Sequence, residues 1–189
     1  MSEIVLPSLL PMRVLILSFL LAAATGVLRA DEKPVVEKER VSFDGQTLLL
    51  AAKGGNPGEQ VREYLPEGQK LESWTKLASI REYPKLDDPR AVAENLLRML
   101  KKQNPLASSS LIQNPKTGEV IADFITWPPD QAFVEFNIFK YSRKPGGGLI
   151  AQQYALREYR DTTTFLKEFK PVRARLVDLM AKGGLQVAK

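Results

Sequence analysis

Between Glu59 and Tyr83, EQVREYLPEGQKLESWTKLASIREY, two runs of alternating hydrophobic and polar residues flank a turn at Pro66-Glu67-Gly68. Val61, Glu63 and Leu65 fall on one side of an extended segment and Arg62 and Tyr64 on the other, the period-two pattern of a half-buried strand. Pro66 fixes its own φ and Gly68 is free to take a positive one, so the chain turns there and resumes as a second strand through Trp74, Leu77, Ala78 and Ile80. The same alternation predicts a hairpin over 41–43 and 47–51, joined at Asp44-Gly45, a dipeptide suited to a tight turn. KGGNPG at 53–58 reads as an irregular connector. Farther on, strands are predicted over 108–113 and 119–127 around the turn cluster NPKTG, and over 133–142 and 149–159 around Lys144–Gly148. A five-residue turn there pairs residues whose numbers sum to 292. Val134, Phe136, Ile138, Tyr154 and Leu156 then share an apolar face, and Glu135, opposite Arg157, shares the other with Asn137.

Two stretches carry the helical period instead. Asp87-Asp88-Pro89 supplies a capping carboxylate and a first-turn proline, which predicts a helix to about Lys102 with Val92, Leu96, Met99 and Leu100 on its apolar face. From Asp161 onward, Phe165, Phe169, Val172, Leu176, Leu179 and Met180 follow at steps of four, three, four, three and one. That spacing predicts a second amphipathic helix, with a kink or restart near Lys170 because Pro171 lies inside it. Strands joined by short turns, a helix, more strands and a terminal helix predict an α+β fold: a two-layer sandwich with an antiparallel sheet and both main helices packed on one face. This element order is similar to that of the Mog1/PsbP-type α/β sandwiches. The combination EYLPEGQ, WTKL, EFNIFKY and QQYALREY, spanning about Gln60 to Tyr159, resembles a family of uncharacterised bacterial secreted proteins. That resemblance implies no activity, cofactor or site residue.

The N-terminal region changes the picture of where the protein works. Met12-Arg13 is followed by VLILSFLLAAA, eleven residues broken only by Ser18, and then by small residues up to Ala30. A basic start, a short apolar run and a small-residue exit predict a secretory signal peptide over 1–30, cleaved between Ala24 and Ala30, with translation starting at Met12. The run is shorter than the roughly twenty residues a membrane span needs, so no transmembrane anchor is expected after cleavage. Residues 31–40, DEKPVVEKER, read as a solvated leader, 41–184 as a single α+β domain and 185–189 as a tail. Removing residues 1–30 takes Arg13, Arg29 and Glu3 from the 27 basic and 22 acidic residues, leaving a net charge of +4. So slight and evenly spread an excess argues against nucleic acid as a partner.

The chain has no His and no Cys. That removes histidine-based triads, thiol nucleophiles, disulfides and the usual zinc sites. Asp87-Asp88 is explained by helix capping, Gly146-Gly147-Gly148 lacks the Lys-Ser/Thr of a phosphate loop, and Ser108-Ser109-Ser110 has no base beside it. No catalytic residue, metal site or cofactor is therefore assigned. The basic side of the last helix, Lys167, Lys170, Arg173 and Arg175, reads as a solvated face. The residues singled out for a ligand or partner are Glu135, Asn137 and Arg157, as a polar patch on the sheet, with Trp74 and Trp127 as candidate pocket walls. The expectation is an exported protein, periplasmic or extracellular, that acts as a non-catalytic binding or accessory module on a small ligand or an envelope protein. The alternative is an enzyme using carboxylates or a bound metal.

Overall fold

A computed structural model describes residues 39–188. The expected signal peptide, the expected start at Met12 and most of the expected leader fall outside the described residues. In chain order the elements are β1 (Arg40–Phe43), β2 (Gln46–Asn56), β3 (Glu59–Leu65), β4 (Lys76–Tyr83), α1 (Pro89–Gln103), β5 (Ser108–Gln113), β6 (Val120–Thr126), β7 (Val134–Arg143), β8 (Leu149–Glu158), α2 (Thr162–Lys182) and β9 (Gln186–Val187). Among the described residues all nine strands join one antiparallel sheet in the order β5-β6-β7-β8-β4-β3-β2-β1-β9.

The sheet curls into a half-barrel. This replaces the two-layer sandwich expected from the element order, and both helices do not pack on one face. α2 lies against the face bearing Phe136, Ile138, Tyr154, Ile80 and Tyr64, into which it sends Phe169, Leu176 and Met180. α1 lies on the reverse, with Ala93 and Leu100 among Ala122, Phe124, Phe139, Tyr141 and Ala151. The physical reason is in the strands themselves. Along β7, Phe136 and Ile138 alternate with Phe139 and Tyr141, so both faces of the sheet centre are apolar and each needs its own cover. Long strands also twist, and the register shift between Leu50 and Ala52 in the β2–β3 ladder adds local twist.

Local chemistry explains most boundaries. Asp44 and Gly45 both have positive φ, at 51° and 70°, as the turn between β1 and β2 requires. Asp88 accepts hydrogen bonds from the amides of Arg90 and Ala91 to cap α1, and Asp161 accepts from that of Thr164 to cap α2. These capping bonds hold the exposed Asp161 carboxyl below its usual range. Three segments depart from expectation. β2 continues to Asn56, because Gly54 and Gly55 pair with Val61 and Gln60 and the Asn56 side chain closes the turn by accepting from Gly58 and Glu59. α2 runs through Pro171 without interruption, since its buried side chains flank the proline on both sides. The C-terminal segment is not a tail: Gln186 and Val187 pair with Ser42 and Val41, and Leu185 is buried. Among the described residues, no helix is long and apolar enough to cross a membrane.

Candidate functional site

β7 and β8 meet through the turn Lys144–Gly148, where the Lys144 amide donates to the Gly148 carbonyl at 2.9 Å. Gly148 has a φ of +81°, and a Cβ there would come within 2.8 Å of the Tyr83 carbonyl oxygen, so this end of the hairpin sits tight against β4. The turn sets the register. Glu135 pairs with Arg157, Asn137 with Ala155 and Phe139 with Gln153, the pairing that a sum of 292 demands. On the neighbouring ladder Ser79 of β4 pairs with Gln153, and Glu63 of β3 pairs with Ser79. These side chains therefore occupy the face that α1 shares, on the strands beside it.

They form a continuous row of hydrogen bonds. The Ser79 hydroxyl donates to Gln153 Oε1 at 2.8 Å, Gln153 Nε2 to Asn137 Oδ1 at 2.7 Å, and Asn137 Nδ2 to Glu135 Oε1 at 2.7 Å. From the other end Arg157 donates through Nε and Nη2 to Glu135 Oε2, at 2.9 and 2.7 Å. Every donor thus points toward the Glu135 carboxylate, where the negative charge is. Ser79, Asn137, Gln153 and Arg157 are all buried, and such groups are tolerated in a core only when paired.

Arg157 is also enclosed by rings. Its guanidinium carbon lies 3.8 Å from the centre of the Trp74 ring and 4.1 Å from that of Phe133. Nη1 donates to the Tyr159 hydroxyl at 3.1 Å, which in turn donates to the Trp74 carbonyl oxygen at 3.1 Å. The Trp74 ring fits because its neighbours beneath are Leu65, Leu77 and the small Ala155. A cation held over aromatic faces and out of water is stabilised by about 2 kcal/mol. Beside this stack is an open depression of about 480 Å³, lined by Ser73, Thr75, Glu158, Tyr159 and Arg160.

A family model matches residues 35–185, a span that holds every element from β1 to α2. The chain belongs to this uncharacterised family. No curated protein matches the chain. The match covers the whole polar row and its aromatic stack, so these features lie within the family domain.

Of the residues singled out from the sequence, the fold brings Glu135, Asn137, Arg157 and Trp74 into one cluster. Trp127 stands apart, half-buried just after β6, with its carbonyl oxygen accepting from Asn104 Nδ2 at 3.4 Å. Ser79, Gln153, Phe133 and Tyr159 complete the cluster and were not singled out. Gln153 and Ser79 are 74 residues apart, and no local pattern announces that β4 and β8 are neighbours.

Beyond Ser79, on the same face, lie Glu63 of β3 and Arg81 of β4. Burial pushes the Glu63 carboxyl above its ordinary range, with the Arg81 guanidinium pulling the other way. Arg81 donates through Nη1 to Glu59 at 2.8 Å, while its Nε is buried and is the only such side-chain atom among the described residues without a partner. Tyr83 and Tyr141 have their hydroxyl pKa values raised, mainly by burial. On the opposite face, Arg173 of α2 grips Asp123 of β6 with two hydrogen bonds of 2.6 and 2.8 Å, and so ties the helix to the sheet. Among the described residues no group of three or more acidic side chains is arranged to hold a metal ion.

Proposed function

We propose that this is an exported protein, periplasmic or secreted, that works as a non-catalytic binding or accessory module through the end of the polar row where Arg157 meets Trp74, Phe133 and Tyr159. The observation that carries the binding reading is the junction of a rigid interior with an open surface. Arg157 is fixed by five contacts with four residues, and the depression beside it is lined by Ser73, Thr75, Glu158, Tyr159 and Arg160. Such a rim, on a hydrogen-bonded and stacked scaffold, suits recognition of a small polar ligand or of an envelope protein. Acid–base chemistry has less support, because both oxygens of Glu135 already accept hydrogen bonds and Arg157 has all three nitrogens engaged. Export is supported by the basic Met12-Arg13, the apolar run to Ala24 and the small residues up to Ala30.

Two measurements test the proposal. Expressed in a Gram-negative host, the protein should lose its N-terminus between Ala24 and Ala30 and appear in the periplasm or medium; an intact N-terminus in the membrane fraction rejects export. A photoreactive residue placed at Thr75 or Arg160 of the exported protein should capture a defined species that one placed at Asp178, on the far side of α2, does not. Equal labelling from all three positions rejects the binding site.

A further inference from the structure

The two edges of the sheet are built differently. One edge is β9, only two residues long, which leaves almost no ladder for another chain to join. The other is β5, six residues in unbroken register with β6 from Ser108↔Ile125 to Gln113↔Val120. Edge strands are normally protected by lysine, proline, a bulge or an inward-turned charge. β5 is SSSLIQ and has none of these. Two apolar side chains are exposed along it: Ile112 is 49% exposed and Leu106, just before the strand, is 79% exposed.

The register shows which backbone groups have no partner among the described residues. The Asn114 amide donates to the Glu119 carbonyl at 2.9 Å, which makes that pair hydrogen-bonded and, by alternation, also the pairs of Ile112, Ser110 and Ser108 with β6. Ser109, Leu111 and Gln113 therefore turn both N–H and C=O away from the sheet. Leu111 packs inward beneath α1 and Arg90 of α1 donates to the Gln113 side chain at 3.1 Å, so this bare edge is held straight.

We propose that the occupant of this edge is a second copy of the chain, paired antiparallel through β5 across a two-fold axis to make one continuous sheet. A two-fold perpendicular to the sheet keeps each face continuous, so paired residues must have the same parity. With Leu111 on the axis, Ser109 of each copy meets Gln113 of the other and all three outward residues of both strands are satisfied. Ile112 then lies against Ser110 of the second copy. Because β5 carries no charge, self-pairing sets no like charges opposite one another, which is the usual reason such edges fail to associate.

Sedimentation of the full chain from micromolar to hundreds of micromolar concentrations tests this. The wild type should behave as a dimer, and Ile112→Lys, which puts a charge on the exposed edge, should weaken association by at least about tenfold. Ser109→Pro removes an outward N–H and should also give monomers while leaving the circular dichroism spectrum unchanged; Ser110→Pro removes a bond to β6 and should lower the melting temperature instead. A wild type that stays monomeric throughout overturns the proposal. So does a dimer that survives Ile112→Lys, since association would then lie elsewhere on the chain. If Ser109→Pro does not fold, Ile112→Lys decides alone.

Discussion

Under α2, Phe136, Ile138 and Tyr154 meet Phe169, Leu176 and Met180, with Phe136 and Phe169 rings 4.6 Å apart. On the reverse, the intervening residues of the same two strands are Glu135, Asn137, Gln153 and Arg157, roofed by Trp74 and Phe133. One hairpin is thus buried on both sides by opposite means. The apolar side is non-directional and tolerates exchange of one hydrophobe for another of similar volume. The polar side depends on the identity of each group, since removing one member leaves another buried without a partner. Two arginine–carboxylate pairs, one on each face, illustrate the same contrast. Arg173 is 39% exposed and only its partner Asp123 is buried, whereas the Arg157 and Glu135 side chains are 6% and 15% exposed.

Substitutions should separate the two sides. Arg157→Ala strands the Glu135 charge and empties the space between two rings, and is expected to lower unfolding free energy by about 3–5 kcal/mol in urea titration. A loss under about 1 kcal/mol, typical of a solvated ion pair, would mean that the stack opens to water. Leu176→Ala, on the α2 side, should cost about 2–5 kcal/mol, and a change under about half a kcal/mol would show that α2 does not dock. The smallest effect is on pH dependence. Glu63 is raised above its ordinary value of 4.5 by burial, so its contribution is fully present below that value and is lost as pH rises through the higher folded one. Glu63→Gln should therefore lessen the fall in stability between mildly acidic and neutral pH. An increased fall would show that attraction to Arg81 outweighs burial.

Much of this was legible beforehand, for local reasons. The β7–β8 register follows from a turn length, and with it the meeting of Glu135 and Arg157. The helix starts follow from Asp88 and Asp161. What was not legible is non-local. That β4 inserts beside β8, bringing Ser79 and Trp74 to the hairpin, depends on pairing across more than seventy residues. The placement of α1 and α2 on opposite faces was available in principle, because β6 and β7 are apolar at both parities, but element order alone does not reveal it. Pro171 misled for a related reason: a proline near a helix's solvent side loses little when packing on either side holds the helix.

The one-way row of hydrogen bonds from Ser79 to Glu135 also acts as an error check on assembly. A strand can slip by two residues and still keep its apolar face inward, so alternation alone does not reject that mistake. Here it would be rejected. A two-residue slip of β4 along β8 sets Ser79 opposite Ala151 or Ala155 instead of Gln153, and the same slip of β7 sets Glu135 opposite Ala155 or Tyr159 instead of Arg157. Each misaligned form leaves buried donors and acceptors unmatched at about 1–3 kcal/mol apiece. The β7–β8 hairpin and the distant β4 must therefore arrive in a single alignment before the row closes, and the polar residues in the sheet centre distinguish that alignment from its near copies.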